Sequence, residues 1–92
     1  MRNNQTQEEY SLVVDPEILP ENHLVIYNDD VNTFDFVIDS LIKICQHERI
    51  QAEQCTFIIH YRGRCSVKDG DFPDLRPLCE ALLERGLTAT IE

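Results

Sequence analysis

The sequence predicts an α+β domain with the order β-α-α-β-α-β, three helices packed on a small three-stranded antiparallel sheet. Three observations predict it. Leu24-Val25-Ile26-Tyr27 is an apolar run too short for a helix. Three later segments carry apolar residues at helical spacing. At the end of the chain Leu87, Ala89 and Ile91 alternate with Thr88, Thr90 and Glu92, the period of a half-buried strand. At 92 residues the chain makes one domain. A chain of this size buries roughly 60–65% of its unfolded surface, enough for one modest core and a binding groove rather than a deep enclosed active site.

Residues 1–22 are polar and contain Pro16 and Pro20, and a flexible extension is expected there. Within it Tyr10-Ser11-Leu12-Val13-Val14 is expected to lie extended or to pair briefly as a strand. The domain proper is expected over residues 23–92. The run at 24–27 lacks clean alternation, so that strand is expected to be covered on both faces or central in its sheet.

A polar break, Asn28-Asp29-Asp30, follows the first strand. The first helix is expected over about residues 33–46, with Asn32 as N-cap and Asp35 completing a capping-box-like pair. Phe34, Val37, Ile38, Leu41, Ile42 and Cys45 form its apolar stripe, and Asp35, Asp39, Ser40 and Lys43 are expected to face out. His47, in the polar connection, is expected to be solvated. A second helix is expected over about residues 50–61. Its stripe is Ala52, Cys55, Thr56 and Ile59, broadened by Phe57 and Ile58. Gly63 suits a left-handed C-terminal position.

A short strand is expected over residues 64–68, followed by a turn at Asp69-Gly70. The third helix is capped by Asp71 or Asp74, and the later start is favoured because Pro77 deep in a helix would cost about 3 kcal/mol. Leu75, Leu78, Cys79, Leu82 and Leu83 are expected to form its buried stripe, and Gly86 to end it.

The net charge is −9, from 17 acidic against 8 basic residues. Nucleic acid and anionic membrane surfaces are therefore not expected as partners, because no Lys/Arg cluster is present to neutralise phosphates. The longest apolar runs are four residues, far short of a membrane span. Cys45, Cys55, Cys65 and Cys79 match no zinc spacing, and reduced, mostly buried thiols are expected. Residues 1–20 lack the basic start and apolar run of a secretion signal, so a cytoplasmic protein is expected.

The chemistry concentrates at the end of the first strand and the end of the second helix. Carboxylate and amide oxygens of Asn28, Asp29 and Asp30 accept hydrogen bonds and attract a cation, and His60 adds an acceptor or donor nitrogen. Such a set suits a group with three N–H donors and a positive charge, and a protein α-ammonium is one.

Val25-Ile26-Tyr27-Asn28-Asp29-Asp30, then Phe36-Val37-Ile38-Asp39, then Ile59-His60-Tyr61-Arg62-Gly63 resembles the ClpS adaptor family. The resemblance covers about residues 22–92, with Cys65 and Leu87-Thr88-Ala89-Thr90-Ile91-Glu92 in register. It implies the same α+β fold and a non-enzymatic adaptor that binds N-degron substrates and delivers them to a Clp AAA+ protease. By that resemblance Asn28, Asp30 and His60 hold the substrate α-amino group, with Asp29 beside the peptide backbone. Phe34, Thr56, Ile59 and Thr88 line a hydrophobic pocket for the first side chain, with Asn32 at its rim. Asp71 and Arg76 fall on the surface that docks on the N-terminal domain of the Clp ATPase. The extension at 1–22 would engage the protease during delivery. No cofactor and no metal are implied, and a monomer is expected.

The chain departs from the family pattern at several points. Asn32-Thr33 stands where Thr-Pro is usual, Phe34 where Met is common, and Thr56 and Thr88 where larger apolar residues are usual. The preference among Leu, Phe, Tyr and Trp as first residue is open for that reason. Three rival readings exist. Asp29 or Asp30 with His60 makes an acid–base pair, but no nucleophile pattern or phosphate loop accompanies it. The same residues are metal donors without a recognised spacing. A ribosomal stalk-like docking domain shares the fold class, but needs no such polar cluster.

Overall fold

The computed structural model describes residues 22–92. Residues 1–21 of the expected extension, with its 10–14 stretch, lie outside the described residues, and Asn22 already belongs to the first strand. The element order is β1 (Asn22–Tyr27), α1 (Phe34–Cys45), α2 (Arg49–Arg62), β2 (Arg64–Gly70), α3 (Phe72–Glu84) and β3 (Thr88–Ile91). The order and the α+β architecture are those the sequence predicts.

β1 lies between β2 and β3 and pairs antiparallel with both. Leu24 and Ile26 join the core, and Val25 between them is fully buried as well, so the run shows no alternation in burial. Leu24 faces Lys68 while Val25 faces Ser66, so Val67 is an extra residue in β2, a β-bulge. The helices cover one side of the sheet. Leu24, Ile26, Ile38, Leu41, Ile59, Leu75 and Leu82 form the core between them. β3 follows the alternation read from the sequence, with Ala89 buried and Thr88 and Thr90 exposed.

The bulge explains the first correction. His47 is not solvated but 6% exposed, and its Nε2 lies 2.8 Å from the Val67 carbonyl. A bulged residue loses its ladder partner, and a buried carbonyl without one costs about 1–3 kcal/mol. The imidazole supplies the missing donor. His47 reaches this position because Gln46 ends α1 in the left-handed conformation at φ 58°, turning the chain back so that the His47 N–H meets the Leu41 carbonyl at 3.2 Å.

Four further corrections concern helix ends and faces. Thr33, not Asn32, caps α1, its hydroxyl accepting from the Phe36 N–H at 3.1 Å. Ser40 is fully buried: its hydroxyl donates to the Phe36 carbonyl at 2.7 Å and accepts from Arg85 Nε at 2.9 Å. The same guanidinium reaches Asp39 at 3.0 Å and lies over the Phe36 ring, clamping the end of α3 to α1. α3 begins at Phe72 under Asp71, whose carbonyl accepts from both Asp74 and Leu75, so Pro77 stands inside the helix. Burial of Leu75, Cys79 and Leu82 offsets the hydrogen bond that Pro77 removes. Leu83, expected in that stripe, is half exposed, as are Phe57 and Ile58 on α2. Asp69 and Gly70 belong to β2, opposite His23 and Asn22, rather than to a turn.

All four cysteines are free thiols. Burial pushes the Cys45 thiol up to about 11. Burial and the neighbouring Cys65 push Cys55 up to about 12. Both are protonated and unreactive at neutral pH.

Candidate functional site

Two chain breaks meet at one end of the sheet. β1 ends at Tyr27, and α2 ends at Gly63, which takes φ 93° and returns its N–H to Ile59 at 2.9 Å. The Gly63 carbonyl then accepts the Asn28 N–H at 2.9 Å. That bond ties the start of the Asn28–Asp30 loop to the end of the helix that carries His60. A left-handed glycine is needed here, because a side chain at φ 93° would strain the turn that aims the carbonyl.

Asp29 organises the loop from inside. One carboxylate oxygen accepts from the Val31 and Asn32 amides at 2.9 and 2.8 Å, and the other from Asn32 Nδ2 at 2.9 Å. The Asn32 amide holds the Asp29 carboxyl below its ordinary range against a burial penalty, helped by the Asn32 side chain, the Val31 amide and Thr88. Asn32 Nδ2 also donates to the Gly86 carbonyl at 3.0 Å, strapping the far side of the loop to the end of α3. The loop is thus fixed to α2 at one side and to α3 at the other.

Between this loop, α1 and α2 lies a cavity of about 280 Å³. Asn28, Asp29, Asp30, Asn32 and His60 supply its polar lining, and Phe34, Val37, Thr56 and Ile59 the remainder. Eight of the nine side chains assigned from the sequence to the amino-group site and the pocket line it. Thr88 does not: it sits on β3 opposite Tyr27, exposed, near the Asp29 carboxylate. Val37 also lines the cavity, although the sequence places it only in the apolar stripe of α1. It follows Phe34 by three residues, so both reach the same side of α1.

Thr56 and Ile59 are buried at the back, and the Thr56 hydroxyl donates to the Ala52 carbonyl at 2.8 Å. Phe34 and His60 meet edge-on, with ring centroids 5.3 Å apart. The arrangement joins an apolar recess to a rim of carboxylate, amide and imidazole. Chemically it can seat an apolar side chain beside a cationic hydrogen-bond donor. Among the described residues no group of three or more metal-ligating side chains converges.

A family model described as ATP-dependent Clp protease adaptor protein ClpS matches residues 19–90. The chain belongs to the ClpS family. A comparison with curated proteins found no match. Family membership makes the chain an adaptor of the Clp protease, and it fits the fold described above. Among the described residues no helix is long and apolar enough to cross a membrane.

The two residues assigned by resemblance to ATPase docking lie elsewhere. Asp71 precedes α3, and Arg76 is exposed on that helix with its Nε 3.0 Å from Glu80. Gly70, just ahead of Asp71, pairs with Asn22 at the start of β1. The start of α3 is therefore separated from the cavity by the length of β1, roughly 20 Å.

Proposed function

We propose that this chain is a non-enzymatic adaptor whose cavity holds the free α-amino group and the bulky apolar first side chain of an N-degron polypeptide, for delivery to a Clp AAA+ protease. The observation that carries the reading is the join of an apolar recess to Asn28, Asp30 and His60 in one cavity. An α-ammonium leaves water only if its charge is balanced and its three N–H groups are accepted. The Asp30 carboxylate supplies the charge, and the Asn28 side-chain oxygen and a neutral His60 nitrogen supply two more acceptors. Asp29, its oxygens engaged within the loop, acts by holding its neighbours in place. Acetylation removes the positive charge and two of the three donors, so blocked termini are rejected.

Beside the ammonium, Phe34, Val37 and Ile59 receive the first side chain. Burial of a Leu or Phe side chain contributes roughly 1.5–3 kcal/mol. Asp71 and Arg76 serve the contact with the N-terminal domain of the ATPase. Their separation from the cavity lets substrate and protease bind together, with the adaptor acting as a cytoplasmic monomer.

The test is calorimetric titration of short peptides with free amino termini that differ only in the first residue. Leu, Phe, Tyr or Trp is expected to bind about tenfold or more tightly than Gly, with a negative heat-capacity change. Equal binding of all first residues would contradict an apolar first-residue pocket.

A further inference from the structure

α2 carries more apolar surface than its packing uses. Ala52, Thr56 and Ile59 turn inward and are buried, whereas Phe57 and Tyr61 are 52% and 73% exposed. The two exposed rings are stacked on one another, with centroids 5.7 Å apart and planes 10° from parallel. Phe57 also meets Phe34 edge-on at 5.3 Å, and Tyr61 meets His60 edge-on at 4.9 Å. Phe34 and His60 line the cavity. The stack therefore continues the cavity wall outward by one ring spacing. Exposed aromatic surface contiguous with a ligand cavity marks a contact surface, unlike an apolar residue exposed singly.

The geometry of an extended chain says which part of a bound polypeptide meets this surface. Alternate side chains share a face and stand roughly 7 Å apart. When the first side chain enters the cavity, the second points away from the protein and the third returns to its surface. The steps from Phe34 to Phe57 and from His60 to Tyr61, 5.3 and 4.9 Å, start at the cavity wall and end at about that reach.

We propose that the Phe57–Tyr61 stack is a second subsite, taking the third side chain of the bound polypeptide, large and apolar or aromatic. The proposal rests on the reading of the cavity as a first-residue site. Aromatic faces carry negative potential and the chain carries a net charge of −9, so an acidic third residue gains nothing there.

The test uses the full chain and peptides Phe-Gly-X-Ser-Lys with X as Gly, Leu, Phe or Asp, and a peptide with Leu moved to the second position. Leu or Phe at the third position is expected to bind about three- to tenfold tighter than Gly, as for a side chain half buried. Asp at the third position and Leu at the second are expected to show no such gain. In the double variant Phe57→Ser/Tyr61→Ser the ratio of third-position Leu to Gly falls to near one. That ratio, taken within each protein, is the readout, so a general loss of affinity does not count. Equal affinities across the third-position series, an equal gain at the second position, or a ratio that survives the double variant overturns the subsite. The peptide with Gly at the third position, free against N-acetylated, tests the first-residue reading by itself. Amine-dependent binding with a flat third-position series overturns the subsite alone, and amine-independent binding overturns both.

Discussion

A histidine stands near each end of α2, and the two do opposite things. His47, just ahead of the helix, is 6% exposed and gives its Nε2 to the carbonyl of a bulged strand residue. His60, in the last turn, is exposed at a cavity whose other polar groups are carboxylate and amide. One residue type serves the fold at one end and faces a ligand cavity at the other. The difference lies in what surrounds each ring. A backbone carbonyl stripped of its ladder partner sits against His47. Around His60 stand Phe34 and Tyr61, both edge-on, and the loop that Asp29 organises. Neither environment is local in sequence.

Removing the rim charge is the largest expected break in this contrast. Asp30→Ala is expected to weaken binding of a free-amine peptide about thirtyfold or more, because the ammonium loses its counter-charge. His60→Ala is expected to follow with a smaller loss. Neither should move the melting temperature, since both side chains are exposed. A variant that melts earlier by several degrees in a thermal scan would mean that the cavity end is structural after all.

The converse variant is His47→Phe, which keeps a ring and removes the donor to Val67. It is expected to lower stability by about 1–3 kcal/mol in urea unfolding while leaving peptide affinity unchanged. A loss of affinity without a loss of stability would join the two ends that the comparison separates.

Asp29 lies between these extremes, since it serves the fold so that its neighbours face the cavity. Asp29→Asn is expected to cost about 1 kcal/mol through weaker acceptance from Val31 and Asn32. The carboxyl is held below its ordinary value of 3.8. Its contribution is therefore complete above that pH and disappears as pH falls through the lower, folded-state pKa. The amide shifts of Val31 and Asn32 are expected to titrate in acid in the parent chain and to stay flat in the variant.

The smallest effect belongs to Gln46, which holds φ 58° to turn His47 inward. Gln46→Gly is expected to stabilise by about 0.5 kcal/mol, relief of left-handed strain outweighing the added freedom of the unfolded chain. Destabilisation in the same unfolding experiment would show that the Gln46 side chain does more than tolerate the turn.

What was legible in the sequence was what short-range pattern determines. The apolar run of β1, the alternation at Ala89 and the left-handed Gly63 follow from neighbouring residues. Asn28, Asp29, Asp30 and His60 stood out as chemistry without an internal partner pattern, and the cavity gathers them. What was not legible depends on distant partners. Ser40 reads as an outward polar residue until Arg85, 45 positions away, reaches it. Asn32 reads as a cap until Asp29 and the Gly86 carbonyl claim its side chain and Thr33 takes the cap. His47 reads as solvated because the bulge at Val67 has no signature in the chain. Thr88 is assigned to the pocket by the resemblance, but on β3 opposite Tyr27 it meets the Asp29 carboxylate and does not itself line the cavity.

The most direct test of the account is anisotropy titration of one fluorescent peptide beginning with Phe, its amino terminus free in one sample and acetylated in the other. The account predicts saturable binding of the free peptide and affinity at least about thirtyfold weaker for the acetylated one. Equal binding of the two would contradict an α-ammonium site at Asn28, Asp30 and His60.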